Sequence, residues 1–320
     1  MNIIVTGGGG FLGGYVVDQF KLDGHTVKTL DILFRHPHAG LTLDVTNFES
    51  VKETLKHIEP EIVVHLAGMT GSSGKGGGAE SLKDPFNYFN VNMNGALNVY
   101  EASRQLDISK VICMSSFSPY GYASSPINEQ TPLIPSNPYG GSKLCVEEIA
   151  KIYSNNYGIK STIFRSPLIC GEGQSEMNAL REFVSCALND SPIVIFGDGK
   201  HVREFVHPID VASAFSSGIS FMSRMKSQYE IFVLGNKPIR MIDLAELIVK
   251  RVGKGEIQIK PATSQAFDQY SDFSKAIDLL RWYPKISLDE IVERVISDIS
   301  AKLDTTRDQG ENISNTIQGD

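Results

Sequence analysis

The sequence predicts an α/β protein: a doubly wound parallel sheet with a smaller C-terminal α/β lobe. Three observations carry this. The first is a set of short β-branched runs in the first half, NIIVT (2–6), HTVKTL (25–30), EIVVHLA (61–67), KVICMSS (110–116) and KSTIFR (160–165). They are nearly all apolar, whereas a strand with one wet face would alternate, so they read as strands buried on both faces. The second is the helical period of the stretches between them, such as 13–22 and 48–57. Strand–helix alternation implies a parallel sheet with helices on both sides. The third is a change of rhythm after residue 170. IVIF (193–196) and EIFVL (230–234) stand as isolated strands, and IDLAELIVKRVG (242–253) and LDEIVERVISDISAKL (288–303) carry the apolar stripe of helices. The reading therefore assigns 1–170 to the sheet domain, with parts of 203–236 returning to it. It assigns 171–202 and 237–303 to the second lobe. The polar segment 304–320 is expected to be a disordered tail. GSSGKGGG (71–78) has the composition of a flexible loop.

Bulk properties narrow the function. At 320 residues the chain suffices for one large domain or two closely packed ones, and 41% hydrophobic with 21% charged residues is ordinary for a soluble globular protein. The net charge is −7, with no basic run and no aromatics interleaved with arginines. That argues against nucleic acid or an anionic membrane as partner. No apolar run reaches transmembrane length, and MNIIVTGGGG has neither the basic start nor the cleavage site of a signal peptide. Cys113, Cys145, Cys170 and Cys186 are scattered and form no CxxC pair. They read as small buried hydrophobes and suit a reducing cytoplasm. No Cys/His group has ligand spacing, so no metal is expected.

The chemistry begins at VTGGGGFLGGYVV, which follows the first strand and opens the first helix. Gly7, Gly10 and Gly13 are spaced GxxGxxG. Glycines there let the chain turn sharply and let backbone amides approach a pyrophosphate at a helix N-terminus. Asp31, ending the second strand, can accept both ribose hydroxyls and would repel a 2′-phosphate. The pattern therefore favours NAD over NADP, although Arg35 is close enough in sequence to complicate that preference.

A second feature lies at Tyr139 and Lys143. Asn137-Pro138 is a good N-cap and first-turn pair, so Tyr139 falls in the first turn of a helix reaching about residue 157. At i, i+4 the two side chains share a face. Such pairs commonly do no more than stabilise exposed helix surface. A phenol with a pKa near 10 is a poor base, but an ammonium and a helix N-terminus beside it favour the phenolate. The pair then suits proton exchange with a substrate hydroxyl whose carbon loses hydride. Gly140 and Gly141 should each cost that helix about 1 kcal/mol against alanine, which is tolerable where something packs closely on the backbone. Tyr122 reads as an ordinary aromatic. His65 ends a core strand and reads as structural, His207 beside Pro208 has a smaller claim on substrate, and Ser72-Ser73 have no placed base.

Six motifs in order then resemble the extended short-chain dehydrogenase/reductase superfamily, in particular its nucleotide-sugar epimerase/dehydratase group, similar to UDP-glucose 4-epimerases. TGGGGFLG resembles its TGxxGxxG, HLAG (65–68) its HLAA, SSFSPYG (115–121) its serine/threonine motif ahead of YG, and YGGSK its YxxxK. FGDGKHVREFVHPIDVA (196–212) resembles GDGxxxRxFxxVxD, and LRWYPKISLDE (280–290) resembles LGWxPxxxLxE. The resemblance covers about residues 1–300 and implies a Rossmann-type fold, NAD and a nucleotide-sugar (UDP- or similar) substrate. It also implies homodimers through helices near 95–104 and 139–157.

Carried over residue by residue, it makes Tyr139 the acid/base and Lys143 the residue that binds the nicotinamide ribose and lowers the phenol's pKa. Ser116, four places before Tyr120, hydrogen-bonds the reacting oxygen, with Ser115 as the nearest rival. The cofactor residues implied are Gly7, Gly10, Phe11, Leu12, Gly13, Asp31, Asp44, Val45, Leu66, Ala67, Gly68, Asn92, Tyr139 and Lys143. Those implied for substrate are Thr70, Ser116, Phe117, Leu168 and Arg203, the last clamping a diphosphate.

Absences narrow the reaction. Dehydratases of the group carry an Asp-Glu pair after the catalytic threonine, decarboxylating relatives a glutamate two places before the tyrosine of YG, and relatives that epimerise at two carbons a cysteine beside the serine. Here Phe117 and Ser118 occupy those places. What remains is reversible hydride chemistry at C4 with NAD retained; a net dehydrogenase or reductase on a nucleotide-sugar or a smaller hydroxy or keto compound is the alternative, and a dinucleotide sensor a third. One departure stands out: the family's RxxNxYGP appears as RSPLICGEG (165–173), with Pro167 or Leu168 in place of the substrate-binding asparagine and Cys170 in place of the tyrosine.

Overall fold

The computed structural model describes residues 1–34, 40–70, 79–262 and 266–317, with backbone only from 305 onward. The first half alternates as expected: β1 (Asn2–Thr6), α1 (Phe11–Leu22), β2 (Thr26–Asp31), β3 (Leu41–Thr42), α2 (Phe48–Ile58) and β4 (Ile62–His65). A short helix α3 (Pro85–Tyr88) runs through a π-turn (Phe89–Asn94) into α4 (Gly95–Gln105), followed by β5 (Lys110–Met114), α5 (Pro138–Tyr157) and β6 (Lys160–Arg165). Then come β7 (Leu168–Ile169), α6 (Ala179–Leu188), β8 (Ile193–Phe196), β9 (Val202–Arg203), β10 (Phe205–Val206), α7 (Pro208–Met222) and β11 (Tyr229–Val233). The chain ends with β12 (Ile239–Arg240), α8 (Met241–Val252), β13 (Ile257–Lys260) and α9 (Leu288–Ile317).

Seven strands form one parallel sheet in the order β11-β6-β5-β4-β1-β2-β3. The all-apolar runs are explained by what each face meets. Ile3 and Val5 pack with Val16, Phe20 and Phe215 of α1 and α7 on one side. Ile4, between them, packs with Val51, Val99 and Val146 of α2, α4 and α5 on the other. Successive strand residues point to opposite faces, so both must be apolar. The second lobe has its own core, in which Leu180, Val184, Leu244, Ile248 and Val295 from α6, α8 and α9 surround Ile193 and Ile195 of β8. EIFVL is not isolated: as β11 it pairs with β6 at the sheet edge. IVIF, as β8, pairs with β13. The tail expected to be disordered from 304 continues α9 to Ile317; the segment 304–317 contains no proline and one glycine, Gly310, to interrupt it.

The strand order reverses between β1 and β4, whose C-terminal ends open a crevice of the kind that receives ligands in open α/β sheets. Two expected strands stop short there: β4 ends at His65 and β5 at Met114. Residues 66–68 and 115–117 are thereby released as loops over the C-terminal edge of the sheet.

Glu204, between β9 and β10, is 1% exposed. Burial pushes its carboxyl up to about 8, against the opposing hydrogen bonds from the Ser271 hydroxyl and the Asn236 amide. An unfolded glutamate titrates near 4.3. Its contribution is therefore fully present below that pH and is lost as pH rises to about 8. Thermal melts should show wild type losing more Tm between about pH 5 and about pH 8.5 than Glu204→Gln does; parallel pH dependence would refute the assignment.

Candidate active site

The glycine turn sits at the crevice. Gly7 has φ +74, and its amide donates to the Leu30 carbonyl (2.8 Å). A Cβ there would lie 2.6 Å from the Leu66 carbonyl carbon, so only glycine fits between the two loops. A Cβ on Gly13 would overlap the Gly7 carbonyl oxygen. Gly10 is the N-cap of α1 and provides no side-chain cap, which leaves the first-turn amides beside Phe11 and Leu12 for an anionic ligand. The Asp31 carboxylate reaches this turn, accepting from the Gly9 amide (3.0 Å) and the Leu33 amide (3.2 Å). Asp44 is exposed and accepts from the Thr46 amide and hydroxyl (2.9 and 2.8 Å). Val45 is buried: its side chain packs beneath Gly95 and its carbonyl accepts from Asn98 (2.9 Å). Arg35 and Ser72-Ser73 lie outside the described residues.

The second part of the site comes from β5 and α5. The Asn137 side chain accepts from the Gly140 amide (2.9 Å) and Pro138 opens the helix, placing Tyr139 in its first turn. The Ser116 hydroxyl lies near enough to the Tyr139 phenol to oppose the rise that burial gives its pKa; the serine hydroxyl accepts from the Ser118 amide (3.1 Å) and donates to the Ser118 hydroxyl (3.3 Å). Ser115 is turned away, donating to buried Glu147 (2.5 Å). Of the two serines, Ser116 is the one that lies on the side of the phenol. Tyr139 also meets Tyr88 edge to face, with ring centroids 6.2 Å apart. The Tyr88 hydroxyl donates to the carbonyl of exposed Thr70 (2.7 Å).

Lys143 is 8% exposed and donates to the Met114 carbonyl (3.2 Å). Its Nζ would lie 3.4 Å from a Cβ on Gly68, and the Asn92 Oδ1 would lie 2.7 Å from the same point. Asn92, in the π-turn, is locked by Ser142 (2.9 Å) and by both backbone groups of Met69. Lys143, Asn92 and Gly68 thus converge where Ala67 and Gly68 leave the sheet. Burial pushes the Tyr139 phenol up, with Ser116 opposing and Tyr88 adding. The lysine aims at the end of β5, and burial lowers its own pKa to about 8.

Phe117 is 3% exposed and packs with Tyr120, Ile127 and Val233, so its side chain faces a small core and not the phenol. Leu168 is half-buried in β7 against the core of the second lobe. The Arg203 guanidinium lies over the Phe267 ring (4.7 Å) and donates to the carbonyls of Val202 and Phe267. It is therefore engaged within its own lobe, because the strip around Phe267 runs alongside β9. His65 is buried, its Nδ1 paired with Thr6 (2.8 Å), and burial lowers its pKa to about 3. In His207, Nδ1 accepts from the Ile209 amide (3.2 Å) and Nε2 donates to Glu172 (2.9 Å), so it caps α7.

Comparison with known proteins places this arrangement. The model of the NAD dependent epimerase/dehydratase family matches residues 3–235. The chain belongs to that family. A UDP-glucuronate 4-epimerase of Thermodesulfobacterium geofontis is 27% identical over 317 residues, spanning 92% of this chain and 94% of the relative. Among solved structures, a UDP-glucose 4-epimerase of Thermotoga maritima with UDP-glucose aligns at a TM-score of 0.83 and 27% identity, covering 95% of this chain and 100% of that one. A UDP-glucose 4-epimerase of Thermus thermophilus in complex with NAD aligns at 0.79 and 25%, covering 93% and 98%.

The protein is thus an enzyme of the extended short-chain dehydrogenase/reductase type, and NAD is its cofactor. The residues present fit that group: uncapped amides stand at the α1 N-terminus, Asp31 closes the glycine turn, and Lys143 with Asn92 lines Gly68. Two residues of this epimerase/dehydratase site were not singled out from sequence. Ser142 locks Asn92, and Glu147 receives Ser115. Glu147 had a readable signal, being an acid on the same face of α5 as Tyr139 and Lys143.

Proposed function

We propose that this enzyme is an NAD-dependent 4-epimerase of a UDP-sugar, with Tyr139 as acid/base, Ser116 hydrogen-bonding the reacting oxygen and Lys143 holding the nicotinamide ribose. The observation that carries the reading is the convergence of Ser116, Tyr139 and Lys143 beside the glycine turn, with Phe117 and Ser118 where elimination or decarboxylation would need a carboxylate. NAD, when bound, supplies the hydride acceptor. The chain's own residues manage the proton. Burial keeps the Tyr139 phenol protonated at neutral pH, which suits the acid half of a reversible cycle. For the base half it must release that proton, and Lys143 is the cation α5 places on the same face.

The test is to incubate purified enzyme with UDP-galactose and no added reductant. UDP-glucose should form with no net NADH. Accumulating NADH without UDP-glucose would overturn the reading in favour of a dehydrogenase. That second reading is supported by the stretch 165–173, where half-buried Leu168 and buried Cys170 stand in place of polar groups and Arg203 is held by Phe267.

A further inference from the structure

We propose that Glu147, clamped by Arg165, is a positioning residue for the proton-transfer site: it fixes the serine loop against α5 and supplies the counter-charge beneath Lys143. The inference rests on the acid/base reading of Tyr139 and Lys143 above.

Glu147 is 1% exposed, four residues beyond Lys143 and eight beyond Tyr139 on one face of α5. Its Oε1 accepts from the Ser115 hydroxyl (2.5 Å) and from Arg165 Nε (3.0 Å), and its Oε2 accepts from the other arm of the Arg165 fork (2.6 Å). Arg165, at the end of β6, also donates to the Tyr120 hydroxyl (2.8 Å) and lies over the Tyr120 ring (5.0 Å). Tyr120 in turn donates to the Asn128 carbonyl (2.7 Å). One buried ion pair thus ties together the ends of β5 and β6, the turn after Ser116, and α5. Ser115 is the residue next to Ser116, so the bond that holds it also sets where the Ser116 hydroxyl meets the phenol.

Stability alone is a poor reason for such a pair. Well-packed apolar residues of the same volume are often as stable or more so, because both ions are stripped of water. The charge is better explained by what it faces. Around Lys143, burial holds Cys113 of β5 protonated and His65 of β4 neutral, and Tyr139 keeps its proton. Against the burial that lowers the lysine's pKa stand Cys113 and then Glu147, and with the thiol held protonated Glu147 is the one that acts as an anion. Its own charged neighbour is Arg165, and the Tyr229 hydroxyl of β11 donates to its carbonyl (3.2 Å).

Ser115→Ala and Glu147→Gln, measured beside Tyr139→Phe on UDP-galactose, test this. Ser115→Ala removes the tether and leaves the ion pair. It should lower kcat about tenfold, as a misplaced catalytic group does, with KM changed less than twofold. Glu147→Gln should move the alkaline limb of kcat roughly one unit to lower pH, because the ammonium loses its counter-charge. Wild-type kcat in folded Ser115→Ala, or an unmoved limb in folded Glu147→Gln, would overturn the proposal. If Glu147→Gln does not fold, Ser115→Ala decides. Full activity in Tyr139→Phe would instead overturn the acid/base reading on which the inference rests, so the two failures are distinguishable.

Discussion

Tyr139→Phe is expected to lower kcat by about 10²–10⁴-fold, the range for removing a positioned general acid/base, while the fold and bound NAD remain. The ring that stays keeps its edge-to-face contact with Tyr88 at 6.2 Å. What goes is the hydroxyl, and a single hydrogen bond from it is worth about 0.5–1.5 kcal/mol. That corresponds to a few degrees in Tm and not to unfolding. Steady-state turnover of UDP-galactose, with cofactor content and thermal melts measured on the same sample, separates the two effects. A kcat within a few-fold of wild type would remove Tyr139 from the chemistry. Loss of NAD would show that the hydroxyl is needed to hold the cofactor, and the fall in kcat would then not report proton transfer.

Why Tyr139 was readable and other residues were not comes down to distance along the chain. The pair with Lys143 is local: a cap at Asn137, a proline at the first turn and a four-residue spacing put both side chains on one helix face. The sheet was equally legible, because strands covered on both faces must be apolar at every position, and Ile3, Ile4 and Val5 show both faces in use. What local pattern does not carry is the direction of single side chains and contacts between distant segments. Phe117 adjoins the serine, yet it turns into a cluster with Val233 from β11, over a hundred residues later. Arg203 is occupied by Phe267, 64 residues on. EIFVL could be read as a strand, but its partner β6 lies across the stretch that supplies α6 and β8 to the second lobe. Spacing places Lys143 on the phenol's face of α5, but the burial that pushes the phenol up cannot be read from spacing.

Gly140→Ala should lower both stability and turnover, although helix propensity alone predicts the reverse. Alanine would gain the helix about 1 kcal/mol. Against this, a Cβ at Gly140 would lie 2.6 Å from the Ser118 carbonyl oxygen and 2.9 Å from its carbon. Those are backbone atoms of the turn that follows Ser116, and they are held by the Gly121 amide on Ser118 and by the Phe117 amide on Ser166. Forcing such a contact typically costs about 1–3 kcal/mol, so the net effect is destabilising or at best near neutral. The functional consequence is larger than that balance suggests. The atom displaced belongs to the loop whose Ser116 hydroxyl meets the phenol, and a shift near 1 Å there is expected to lower kcat by up to about 10²-fold. Gly141→Ala is the matched comparison on the next residue. Its Cβ would meet only the edge of the Phe89 ring, at 3.2 Å, a side chain that can yield by a few tenths of an ångström. That variant should keep its turnover and melt at or slightly above wild type, by up to about 1 kcal/mol. Melting curves and kcat for the pair decide the matter. If Gly140→Ala is as active and as stable as Gly141→Ala, close approach of the serine turn to α5 does not set the site's geometry, and the glycines are there for another reason.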